Sequence, residues 1–198
     1  MEHRYVSIMK QGETRGTTLT SPQAWPLSVK AYRALGDMGL IPKQSELLYG
    51  QVFQKMSKSP LHTAWFLRML KLIQAVLPAD CHVRPEQPLT CQDSEPEPDL
   101  AVVRGRAEDF WHEHPVTAEL VVEICVSIHD CDRTKLRAYA LAGVKECWFV
   151  LGPEKQVEIH RHPVGNTFTK RVVCGPGGQP SSTAIPHILV ALEAVFAK

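Results

Sequence analysis

The chain has 198 residues, 44% of them hydrophobic and 22% charged, which suits one domain with a real core. Its formal net charge of +1 excludes a nucleic-acid binder that works through bulk basicity, so any such surface must be a local patch. The N-terminal stretch lacks an apolar h-region and no apolar run approaches ~18 residues, so neither a signal peptide nor a membrane span is expected. Six cysteines without CxxC spacing read as reduced thiols of a cytoplasmic protein.

Residues 1–25 are polar and aperiodic and read as an irregular N-terminal arm, leaving 26–198 as the single folded domain. Leu27, Ala31, Ala34, Leu35 and Met38 recur at helical spacing, with Gly39 as a stop signal. The run from Glu46 to Phe53 predicts a short hairpin turning near Gly50. Pro60 opens a helix whose apolar positions run through Trp65, Leu70 and Ile73 to the break at Pro78. Cys81 to Leu89, interrupted by prolines, reads as an edge strand. Asp99 to Val103 and Ala118 to Val126 are apolar, β-branched runs of the kind covered on both faces. Arg133 to Leu141 predicts a helix ending at Gly143, and Val144 to Leu151 a further strand. Two alternating runs flank Gly165-Asn166 as a hairpin, whose exposed edge could pair with a second copy in a homodimer. Ile188 to Phe196 reads as a closing helix. The sum is α/β: a mixed β-sheet core flanked by helices.

Two carboxylates within these apolar strands need an explanation. Asp99 starts one strand at the Pro98 boundary and Glu123 lies inside the next. Charge in a sheet core is costly unless it is paired, hydrogen-bonded or bound to metal. If the strands pair, both carboxylates could enter one cleft and offer a hard divalent ion the oxygen ligands it favours. Such an ion could activate water and stabilise charge on a phosphate, and Lys135 could set an ammonium beside it. The plainer alternative is a pair of solvated strand-end acids in a structural or interaction protein. Among weaker signals, His62 could touch the site or simply cap its helix. Trp111, His112 and His114 could stack on a base. Lys55, Lys58, Arg68 and Lys71 could form a phosphate-facing patch. Cys125, His129 and Cys131 match no zinc spacing.

The segments PDLAVV (98–103), ELVVEI (119–124), DRTK (132–135) and YALAGVKECWFV (139–150), preceded by SELLYGQVFQKMSKSPLHT (45–63), occur in an order and spacing that resemble the Uma family of restriction-endonuclease-like proteins, a branch of the PD-(D/E)XK nuclease superfamily. The resemblance covers about residues 27 to 162. It implies a restriction-endonuclease-like core, an Mg (or Mn) ion held by Asp99, Glu123 and the main-chain carbonyl of Ile124, and Glu46 as the acid from the N-terminal part of the core. It implies Lys135 as the site lysine and DNA as the substrate. Many superfamily members carry that lysine two positions after the acid, where this chain has Cys125. The family has an Asp four residues before the later lysine, where this chain has Cys131 between Asp130 and Asp132. A catalytically inactive nucleic-acid-binding or regulatory protein on the same fold is the alternative reading.

Overall fold

In the computed structural model, residues 24–127 and 133–197 are described. Nearly all of the expected arm, together with His129, Asp130, Cys131 and Asp132, lies outside them.

Helix α1 (Val29–Asp37) is capped by Ser28, whose side chain accepts from the Ala31 amide, and β1 (Ser45–Leu48) and β2 (Gln51–Gln54) form the expected hairpin. Its two-residue turn places Tyr49 and Gly50 at φ of 54° and 74°, the left-handed pair that suits a right-twisted hairpin. Gly50 is required twice over, because a Cβ there would stand 2.4 Å from Pro26 Cβ. Helix α2 (Pro60–Gln74) starts as predicted, with Pro60 in its first turn and the Ser59 side chain accepting from the His62 amide.

A six-stranded sheet follows in the order β3-β4-β5-β6-β7-β8: β3 (Cys81–Pro85), β4 (Leu100–Arg104), β5 (Leu120–Cys125), β6 (Glu146–Leu151), β7 (Gln156–Val164) and β8 (Thr167–Cys174). Every neighbouring pair is antiparallel except β5–β6, which is parallel and joined through α3 (Lys135–Leu141). The proline-broken strand β3 does lie on an edge, but it stops at Pro85 rather than Leu89. Glu86 takes a left-handed φ of 52° and its amide turns to the Asp99 carbonyl at 2.9 Å.

The predicted closing helix over 188–196 is also corrected. Ile188 and Val190 are buried while Leu189 between them is 53% exposed, a period of two that marks extended chain. The Val190 amide bonds to the Pro180 carbonyl, and only Leu192–Phe196 is helical, as α4.

Alternate residues of the central strands feed two cores. Leu100, Val102, Leu120, Val122 and Ile124 pack with α2 and the C-terminal segment. Ala101, Val103, Val121, Cys125 and Phe149 pack with Tyr139 and Ala138 of α3 on the other face. No described helix is long and apolar enough to cross a membrane.

Candidate active site

The β4–β5 register pairs Leu100 with Val122 and Ala101 with Val121. Continued by one residue, it sets Asp99 opposite Glu123, a cross-strand relation that brings Cβ atoms within about 5.5 Å in a sheet. Asp99 reaches β5 itself, its Oδ2 accepting from the Ile124 amide at 2.7 Å. The chain thus brings Asp99, Glu123 and Ile124 together, with Ile124 joined to Asp99 through its N–H.

Asp99 is buried and well partnered. His62 Nε2 lies 3.2 Å from Oδ2, and Lys58 Nζ donates to Oδ1 at 2.8 Å while also pairing with Glu86. Burial alone would push its carboxyl up, but the His62 hydrogen bond and the Lys58 charge outweigh that and hold it below its ordinary value. His62 therefore belongs to the site. Its Nδ1, also buried, has no partner among the described residues.

Glu123 meets the α3 side. The Tyr139 hydroxyl donates to its Oε1 at 2.5 Å, and Lys135 Nζ stands 3.7 Å from the same oxygen. Lys135 is closer still to Glu46, at 2.9 Å from Oε2, and Glu46 Oε2 also accepts from the Glu97 amide at 3.3 Å. Hairpin and helix are thereby tied at one ammonium. Burial, with the nearby charges of Asp99 and Glu46, raises the Glu123 carboxyl from its ordinary 4.5 to about 7, although Lys135 and the Tyr139 hydroxyl pull the other way. For Lys135 burial disfavours the ammonium, but Glu123 and Glu46 outweigh it and hold the pKa above its ordinary value. Lys135 is a permanent cation at neutral pH.

All four predicted acid and lysine positions thus converge. No three His, Cys, Asp or Glu side chains form a ready metal cage among the described residues. The donors facing one another are nonetheless oxygens, and burial together with their mutual repulsion keeps Glu123 part-protonated near neutrality. That fits a hard dication, which is bound by one or two carboxylates and keeps several waters.

Sequence reasoning missed Tyr139 and Tyr49, and it placed Lys58 in a phosphate-facing patch rather than on Asp99. Tyr49 donates its hydroxyl hydrogen to the Thr134 carbonyl, and the same hydroxyl accepts from the Ala138 amide at 3.1 Å, which fastens the hairpin turn to the start of α3. The basic patch expected over Lys55, Lys58, Arg68 and Lys71 is largely committed internally. Lys55 pairs with Glu97, Lys58 with Asp99, and Arg68 with the carbonyls of Val195 and Ala197. Trp111 and His112 lie in the loop after the carboxyl end of β4, whereas Asp99 precedes its amino end, and His114 Nδ1 pairs with Arg84 at 2.9 Å.

A mixed sheet with one parallel step, acids on its central antiparallel pair and a lysine on the crossover helix define a restriction-endonuclease-like α/β protein. Residues 40–193 match the family model Uma2, described as "Putative restriction endonuclease", and the chain belongs to that family. Among solved structures it is similar to "a putative nuclease belonging to DUF820" from Anabaena variabilis ATCC 29413. That likeness has a TM-score of 0.69 at 18% identity and covers 87% of this chain and 98% of that one. No curated protein matches.

Proposed function

We propose that the chain is an Mg- or Mn-dependent endonuclease that hydrolyses DNA phosphodiester bonds, working in the cytoplasm with residues 26–198 as one catalytic unit. The observation that carries this reading is the cross-strand placement of Asp99 opposite Glu123, with the Lys135 ammonium 3.7 Å from Glu123 Oε1. Asp99, Glu123 and the Ile124 carbonyl would hold the ion. When bound, it would supply a water of lowered pKa and offset charge on the phosphate. Lys135 keeps its proton and faces the phosphate as a fixed positive charge, and Glu46 holds that ammonium in place. Tyr139 and His62 orient the two carboxylates from opposite sides.

Asp99→Asn tests this, since it keeps the side-chain shape while removing the charge. Wild-type protein is expected to nick supercoiled plasmid in Mg²⁺ or Mn²⁺ and to stop in EDTA. D99N is expected to lose at least about 100-fold in rate, the usual scale for an essential electrostatic group, with an unchanged circular dichroism spectrum. Equal cleavage by the two proteins would overturn the assignment.

The inactive nucleic-acid-binding reading has one observation in its favour: Lys58 already sits on Asp99 Oδ1. Calorimetry with Mn²⁺ separates the two, because the nuclease reading requires binding that D99N abolishes.

A further inference from the structure

Two side chains from one short stretch of chain reach Asp99. Lys58 stands in the connection from β2 to α2, just before the Ser59 cap, and His62 follows in the first turn of the helix. They take different oxygens. Oδ2 accepts from the Ile124 amide at 2.7 Å and lies 3.2 Å from His62 Nε2. A carboxylate oxygen offers two lone pairs, so Oδ2 is filled. Oδ1 has Lys58 alone among the described residues, with Nζ at 2.8 Å. A dication that reaches Asp99 therefore meets Oδ1, and must take it from Lys58. The same ammonium pairs with Glu86 Oε1 at 2.5 Å and lies 5.7 Å from the Phe66 ring. Glu86 is the chain neighbour of this contact, since its amide bonds to the Asp99 carbonyl at 2.9 Å.

The two lysines of the site are held differently. The Lys135 side chain is 10% exposed and is pinned to Glu46. That of Lys58 is 38% exposed, and its outer partner Glu86 is 45% exposed. A lysine carries a compact charge on a flexible four-carbon stem, so Lys58 can turn from Asp99 to Glu86 without losing its ion pair. Charge balance also favours such a move. Three carboxylates, Asp99, Glu123 and Glu46, face the two ammoniums of Lys58 and Lys135. A dication added to that group leaves it net positive, and like charges crowded in a poorly solvated site repel strongly. Moving one ammonium outward restores the balance, and the half-exposed one is free to go.

We propose that Lys58 is a displaceable counter-ion, which competes with the dication for Asp99 Oδ1, retreats onto Glu86 when the ion binds, and so sets the metal concentration at which the site fills. This rests on the nuclease reading for its ion. Under it, the contact between Lys58 and Asp99 is a threshold for metal rather than a block to activity.

The test is titration calorimetry with Mn²⁺ in the absence of DNA, on the wild-type protein, Lys58→Met, Lys58→Gln, Lys58→Arg and Glu86→Gln. K58M is expected to bind about tenfold more tightly than the wild type, a middling coupling for neighbours in one charged network. K58Q should move the same way, and K58R, which keeps the charge, should stay near the wild-type value. E86Q should weaken binding more in the wild type than in K58M, and an equal loss in both would overturn the retreat. Melting in EDTA should show K58M folded, because Asp99 keeps Ile124 and His62. Mn²⁺ should then raise its melting temperature by more than that of the wild type, since an ion that binds only the folded chain stabilises it more the tighter it binds. Folded K58M and K58Q that bind Mn²⁺ no more tightly than the wild type would overturn the competition and leave the nuclease reading intact. If neither the wild type nor K58M binds Mn²⁺, or if K58M/D99N binds it as tightly as K58M, the nuclease reading falls and the proposal with it.

Discussion

At the scale of single residues, the site is a set of charges whose balance depends on pH. The folded pKa of Glu123, about 7, lies above its ordinary 4.5. A carboxyl raised in this way adds stability that is complete below about pH 4.5 and disappears as pH climbs through 7. Relative to Glu123→Gln, the wild type is therefore expected to lose about 2–3 kcal/mol between pH 4.5 and 8, at about 1.4 kcal/mol per unit, read as a falling urea midpoint. Parallel stability profiles for the two proteins would refute the raised carboxyl. The same residue marks what the sequence did not disclose. Glu123 and Asp99 stood out because acids are rare in β-branched runs, and the order of motifs joined them to Lys135 and Glu46. Tyr139 did not stand out, because an aromatic on the buried face of a helix reads as core until its hydroxyl is seen on Glu123. Lys58 read as part of a phosphate-facing patch, since its partner Asp99 lies 41 residues away in sequence.

At the scale of elements, turn chemistry was the legible part. Gly50, Pro60 and the Gly165-Asn166 pair fixed the starts and turns of their elements, because each relies on a local backbone preference. The registers were hidden, since they depend on which strands meet. So was the grip of the first hairpin on α3, made by one tyrosine hydroxyl at a position whose φ of 54° disfavours side chains. Tyr49→Phe isolates that grip. It removes the bond to the Thr134 carbonyl and the bond from the Ala138 amide while keeping the ring, which lies against Arg137 at 4.9 Å. A stability loss of about 1–2 kcal/mol is expected, with faster hydrogen exchange at the Ala138 amide. Unaltered exchange there would mean that the hairpin does not anchor the helix start on which Lys135 is carried.

At the scale of the whole molecule, the two sides of the sheet do different work. The α3 side carries Glu123 and Lys135, while the α2 side supplies the larger apolar core and completes it with the last residues of the chain. The C-terminal run was misread as a continuous helix because Ile188, Leu192 and Val195 satisfy a helical period. Only the pairing of this run with residues near Pro180 shows that Ile188 and Val190 enter the core as extended chain. Ile185, Ile188, Val190, Leu192 and Val195 are each no more than 1% exposed. At about 1.5–3 kcal/mol apiece they represent roughly 10 kcal/mol of burial, comparable with the whole net stability of a domain this size, about 5–15 kcal/mol. Their removal also strips the Thr183 amide from Glu146, a carboxylate 1% exposed. A chain truncated after Pro180 is therefore expected to lose cooperative unfolding and near-ultraviolet dichroism. Ile188→Ala alone should remain folded with about 2–5 kcal/mol less stability. If the truncated chain kept a sharp urea transition at the wild-type midpoint, the α2-side core would be complete without its C-terminal strap, and the closing segment would have to be read as an appendage of the sheet.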